Sequence, residues 1–309
     1  MKVCDVVVIG GSAAGLQATL TLARALVSVI CIDSDQPCNR YAKESHNFLS
    51  NDGVEPLKLK KTSWDQVSKY NSVHLIHDKV QDVHQKDLDN GFIVKTFGNL
   101  EISAKRLIFA SGMNDNIEKT GINNIEKFWG NSIIICPYCH GFEFSGKKTG
   151  LYFNSPMLFQ IMSPILYNWS KDLTLIFPEK VFEELDSVTA DKFKEKKITV
   201  VKGSVVEVNG DDSLSSVTLD NNTTIDLDVL YIIPPSTVNN KEMLTKLGVE
   251  FDEMSLVKVD AQQSTNVKGV KAAGDCTTMM RSLAGSAAQG LMAGASICHD
   301  IFQEKWAEE

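Results

Sequence analysis

Two cysteines three residues apart, Cys136-Pro137-Tyr138-Cys139, carry the clearest chemistry in the chain. Thiols at this spacing can close a small disulfide ring, and one thiolate of such a pair is usually acidified by a helix N-terminus or nearby groups. His140 follows directly and could serve as acid/base partner for the leaving thiolate, with Glu143 a second candidate. Other readings of the same residues remain open. A zinc site would need about four ligands, and no second C-x-x-C or histidine pair is present. Cys136 to His140 also spells C-x-x-C-H, a haem attachment pattern, but covalent haem normally needs export and no export signal is visible. The cysteines could also simply be buried. A redox-active dithiol is the favoured reading.

A second group of residues suits an anionic ligand. Gly10-Gly11-Ser12-Ala13-Ala14-Gly15 resembles G-x-G-x-x-G with Ser12 at the middle glycine. A small residue there lets the backbone approach a pyrophosphate, Gly15 allows helix to pack on strand, and the helix N-terminus favours the anion. Asp33 lies 18 residues past Gly15, close to the spacing of a carboxylate that binds a ribose hydroxyl. The alternative is a tight turn with no ligand. Far downstream, Gly274-Asp275 ends another apolar segment.

These residues need a scaffold. Val3 to Ile9 is an apolar run interrupted only by Asp5, as in a strand buried on both faces of a parallel sheet. Leu16, Leu20, Leu22, Ala23 and Leu26 mark a helix, and Val27 to Ile32 a second strand, together a βαβ unit. Residues 83 to 103 suggest a hairpin turning at Asp89-Asn90-Gly91, followed by an apolar strand into Ala110-Ser111-Gly112. The alternation resumes with strands predicted at Lys148 to Phe153, Leu173 to Phe177 and Ile198 to Val201, until Pro234-Pro235 breaks it. A small-residue helix is expected from about Arg281. One nucleotide domain interrupted by a second α/β domain accounts for this order. The chain's 309 residues are enough for two such domains.

Composition narrows the function classes. Hydrophobic residues at 43% and charged residues at 23% argue against disorder or a fibre. A net charge of −8 opposes general binding to phosphate backbones, so no nucleic-acid partner is expected. Lys58, Lys60 and Lys61, like Lys192, Lys194, Lys196 and Lys197, are expected on solvated faces. No apolar run reaches the length of a membrane span, and no signal peptide is visible, so a cytoplasmic location and no membrane partner are expected. Cys4 and Cys31 lie in apolar strands and are expected to be buried. No metal is expected.

The order of these motifs resembles the low-molecular-weight thioredoxin reductase family of flavoproteins over nearly the whole chain. Asp33 to Arg40, then Ser45 to Leu49 and Asn51-Asp52-Gly53, and Cys136 to Glu143 are similar to one branch, which includes dithiol oxidases that close disulfides in gliotoxin- and holomycin-type products. The resemblance implies two Rossmann-like, three-layer ββα domains, the second inserted in the first. Residues 1–113 and 241–309 would form a discontinuous FAD-binding domain, and 114–240 an inserted NADPH-domain-like α/β domain carrying the dithiol. It implies that Gly10, Ser12, Ala13 and Ala14 hold the FAD pyrophosphate, and that Asp33 with Ser34 holds the ribose. Asn39, Arg40, His46 and Asn47 would lie along FAD, and Val80 would meet adenine through its backbone. Ala110, Ser111 and Gly112 would pass close by, Gly274-Asp275 would bind the ribityl chain, and Ser282 and Leu283 would point amides at the flavin. Cys139 would be the thiol next to the flavin and Cys136 the outer, exchanging thiol, with His140 moving protons. A homodimer is implied as well.

The second nucleotide turn departs from the family. Where it expects glycines, the chain has Phe153-Asn154-Ser155-Pro156-Met157-Leu158. Phe153 and Leu158 would crowd a pyrophosphate and Pro156 removes an amide donor. Glu179 would repel a 2′-phosphate, and Pro234-Pro235-Ser236 replaces a later glycine. The expectation is therefore a dithiol oxidase that passes electrons to oxygen, acting on a small dithiol or a thioredoxin-like protein. The alternatives are a disulfide reductase fed by NAD(P)H or a protein donor such as ferredoxin, and a non-catalytic flavin redox sensor.

Overall fold

The computed structural model describes residues 1–86 and 91–308. The first strand, Lys2–Ile9, runs parallel between Val29–Asp33 and Glu101–Phe109, with Val73–His77 beyond the former and Val270–Ala272 paired to the latter. Val6, Val7 and Val8 are fully buried, so neighbouring side chains on opposite faces both lie in the core. This is why the segment is apolar without alternation. Helices cover one face, and strands Val80–Gln85 and Phe92–Thr96 extend the sheet antiparallel. Gln85 stands opposite Phe92, as the predicted hairpin requires; its turn residues Asp89 and Asn90 lie outside the described residues.

Helix Ala13–Arg24 packs on the last helix, Leu283–Glu308. A Cβ on Gly290 would overlap the Ala14 carbonyl, so the closeness of this crossing depends on a glycine. Leu16, Ala18 and Leu22 bury the inner face of the first helix. Each buried leucine contributes about 1.5–3 kcal/mol.

The second unit has its own parallel sheet, in the order Thr199–Lys202, Leu173–Phe177, Thr149–Tyr152, Val229–Ile232, Ile133–Ile134. Its three strands predicted from sequence are thus found within a residue or two of their expected bounds. An antiparallel meander, Val205–Gly210, Leu214–Leu219 and Thr224–Asp226, closes its core. The chain passes between the units through two short antiparallel strands, Met113–Asp115 and Ser236–Val238, in which Asp115 faces Ser236. Pro234 and Pro235 separate the second of these from strand Val229–Ile232. The result is a two-domain Rossmann-type α/β architecture.

Candidate active site

Cys136 and Cys139 form a disulfide, with Cα atoms 5.3 Å apart, just past the edge strand Ile133–Ile134. Pro137 starts the one-turn helix Pro137–His140, where its missing N–H costs nothing. The amide of Gly141 closes the turn onto the Pro137 carbonyl at 2.7 Å. Tyr138 is exposed and meets Trp169 edge-on at 5.7 Å. His140 turns inward. Its Nε2 is buried and has no hydrogen-bond partner. Burial, then the charge of His46, holds its pKa below the ordinary 6.5, against the opposing pull of the Glu44 carbonyl and Glu143. A neutral imidazole with a free nitrogen can accept a thiol proton.

The disulfide segment is docked on the first unit. His46 stands edge-on to His140, ring centroids 5.9 Å apart. Its Nε2 lies 3.5 Å from carboxylate oxygens of Glu143 and Glu44, and its Nδ1 3.5 Å from Asp52. Asn47 follows with φ +59°, and its amide donates to Asp52 at 2.8 Å.

The first glycine turn forms a cradle that side chains would fill. Gly10 has φ +105°, and a Cβ on it would overlap the Ala110 carbonyl. One on Gly15 would overlap the carbonyl of Gly10. On Gly11 it would stand 2.9 Å from the Asp33 Oδ2. Ser12 caps helix Ala13–Arg24 with its side chain free of any capping bond, and Ala13 and Ala14 form the first turn. Backbone N–H groups there are disposed toward an anion. A cleft of about 90 Å³ brings Ser12, Ala13, Asn39, Lys60 and Leu283 together. Ala110 donates its amide to the Ile9 carbonyl, Ser111 exchanges bonds with Asn239, and Gly112 adopts φ +66°.

Asp33 is buried at the end of its strand, beside Ser34, with Val80 buried at the start of a later strand. Lys60, from helix Pro56–Val67, places Nζ 2.7 Å from Asp33 and 2.5 Å from Asp35. The expectation of a solvated Lys58–Lys61 face therefore fails at Lys60, whose side chain is only 9% exposed. Asn39 and Arg40 lie in the short helix Cys38–Tyr41, where Arg40 bonds Pro37 and Tyr41.

At the other end, Gly274 adopts φ +87° and donates its amide to Gln289. Asp275 is partly buried, and desolvation raises its pKa despite Arg281 and Ser286 nearby. Ser282 accepts the Ser286 amide and its hydroxyl accepts that of Gly285, so it caps the helix that Leu283 begins. Sequence reasoning missed a cluster here. Arg281 binds Asp115 through both terminal nitrogens, at 2.8 and 2.9 Å, and Cys38 bonds both residues.

The second turn is filled rather than open. Phe153 is buried, and its ring meets Phe159 edge-on at 5.3 Å. Phe159 stacks on Phe177 at 3.8 Å, and Phe177 meets Phe182 at 6.0 Å. Pro156 opens the following helix, Pro156–Trp169. Glu179 is paired with Lys202 at 2.8 Å. These residues do not fit a dinucleotide pyrophosphate in the turn.

A family model for pyridine nucleotide-disulphide oxidoreductases matches residues 4–149 and 171–290. The chain belongs to that family. The break in this match covers the turn of Phe153 and the helix after it. A thioredoxin reductase of Mycoplasma genitalium is 24% identical over 96% of this chain and 95% of its own. A thioredoxin reductase of Claviceps purpurea is 27% identical over 95% of this chain and 92% of its own. The crystal structure of a putative thioredoxin reductase from Bacillus anthracis superposes with a TM-score of 0.91 at 29% identity, covering 98% of this chain and 99% of that one. This member of the family is an FAD-dependent, thioredoxin reductase-like oxidoreductase acting on sulfur groups. The glycine cradle, the acid at the strand end and the partly buried Asp275 fit FAD in the first unit.

Proposed function

We propose that the protein is a dithiol oxidase working through Cys136 and Cys139, with oxygen as the acceptor. The observation that carries this reading is the aromatic filling of the second nucleotide turn beside an intact, docked disulfide. In this reading Gly10, Ser12, Ala13, Ala14, Asp33 and Asp275 hold FAD, the stretch Asn39 to Asn47 lines it, and Ser282 and Leu283 lie at its flavin end.

The chemistry balances with two thiols lost per turnover. A substrate thiolate attacks the Cys136 sulfur, which breaks the Cys136–Cys139 bond and leaves Cys139 as thiolate. His140, neutral near pH 7, takes the proton of the second substrate thiol. That thiolate attacks the substrate sulfur of the mixed disulfide, releasing the oxidised substrate and the Cys136 thiolate. FAD, when bound, would supply the two-electron oxidation of the resulting dithiol, and with oxygen as acceptor the two electrons and two protons would leave as one hydrogen peroxide per turnover. The substrate is a small dithiol or a thioredoxin-like protein, and the working assembly a cytoplasmic homodimer.

The relatives' names favour a second reading, a thioredoxin reductase fed by NAD(P)H or a protein such as ferredoxin. Anaerobic titration separates the two. Bleaching of the yellow protein by a small dithiol, with colour returning in air, is the expected result. Fast bleaching by NADPH or NADH would overturn the oxidase reading. Cys136→Ser should abolish turnover while FAD stays bound. Cys139→Ser should accumulate a substrate adduct on Cys136 by intact mass, and its absence would reverse the two thiol roles.

A further inference from the structure

Residues 278–282, between the short helix Asp275–Thr277 and the last helix, are irregular, and Met279 and Met280 within them are exposed. The anchor of this stretch is Arg281. Its Nη1 and Nη2 grip Asp115 at 2.8 and 2.9 Å, its Nη2 also donates to Cys38 Sγ at 2.7 Å, and its Nε lies 3.5 Å from Asp275. The Cys38 thiol donates to Asp115 Oδ2 at 3.0 Å. The Asp115 side chain is only 6% exposed. Asp115 belongs to the strand that crosses between the units, and Cys38 precedes Asn39 on the cofactor cleft.

The charges explain the arrangement. One guanidinium faces two carboxylates, and Asp115 holds it in the fork geometry that suits bidentate pairing. A thiolate at Cys38 would add a third negative charge to a partly buried cluster. Burial, with Asp115 opposing Arg281, pushes Cys38 up to about 12. Burial works against the charge of Asp115, but its bonds from Arg281 and Cys38 outweigh that and lower its pKa.

We propose that Arg281 is a positioning residue that fixes the entry to the last helix at the flavin end of the site, and that Asp115 both orients it and keeps Cys38 a proton donor rather than a third redox thiol. This rests on the placement of FAD given above. Cys38 then stays outside the electron path, although it lies beside the cofactor cleft, and the strand between the units is tied to the cofactor helix through one ion pair.

The test uses reduced holoprotein and two readouts that do not depend on turnover. In wild type, iodoacetamide at pH 8 should modify Cys136 and leave Cys38 unlabelled by peptide mass. In Asp115→Asn, Asp275 is the one carboxylate left facing Arg281 beside the thiol, and Cys38 should label at least about tenfold faster. Rapid labelling of Cys38 in wild type, or equal rates in the two proteins, would overturn the holding role of Asp115. For Arg281→Gln, FAD affinity of the apoprotein should fall at least about tenfold, with a shifted visible band, because bonds to a charged group are lost. Cys38→Ser, which keeps a donor, should stay within about twofold of wild type. Arg281→Lys keeps the charge without the fork and is the milder second variant, expected to lose affinity in part. Unchanged affinity and spectrum in both Arg281 variants would refute the positioning role. Wild type that binds no FAD would instead sink the cofactor placement, and the labelling rates would still decide what Asp115 does to Cys38.

Discussion

His140 ties the stability of the fold to pH. Burial and His46 lower its pKa in the folded protein below 6.5. The unfolded chain therefore binds this proton first as pH falls, so the stability it contributes above pH 6.5 is lost as pH drops toward the folded-state value. His140→Asn should flatten that dependence: the urea midpoint of wild type should fall more steeply between pH 7 and 5 than that of the variant. Parallel slopes would mean that His140 titrates alike in both states. At this scale the sequence exposed what is local. The cysteine pair, His140 and the first glycine turn announce themselves by spacing. Cys38 and Arg281 are 243 residues apart, and nothing in either neighbourhood predicts the other. Lys60 misled for a related reason: a lysine run suggests solvent, and the carboxylates that bury its ammonium come from another element.

Among the elements, parallel strands were legible because burial on both faces demands unbroken apolar runs. Helix Pro56–Val67 was not singled out, although Pro56 at its first turn is a start signal; its polar faces gave little periodicity to read. The second turn was legible as a defect, and the packing shows what replaces the glycines. Phe153→Ala should cost about 3–5 kcal/mol by leaving a cavity against Phe159. It should not confer bleaching by NADPH, since Pro156 and Glu179 remain. A variant that gains such bleaching would show that the ring alone blocks the site. Gly290→Ala forces a methyl against the Ala14 carbonyl. It should cost about 1–3 kcal/mol in chemical denaturation. No loss would mean that the two helices can move apart freely.

The order of motifs along the chain showed that one unit interrupts the other. How the units face each other was not legible, because that depends on contacts such as His46 with Glu143 across the boundary. Glu143→Gln replaces the carboxylate that meets His46 across the boundary. Amide hydrogen exchange in 136–143 should rise, with exchange in the two sheets unchanged. Unaltered exchange would mean that packing alone keeps the segment docked.

The paired crossing strands make the inserted unit a cassette. Asp115 and Ser236 sit opposite each other, so the chain leaves the first unit and re-enters it at one spot. Neighbouring strands lie only about 4.8 Å apart. Replacing 116–235 by an Asn-Gly hairpin turn should therefore join ends that already meet. The spliced chain should fold as a yellow, thiol-inert protein. The same spot should accept a foreign domain whose own termini lie close together, which makes the junction a grafting point for new redox modules.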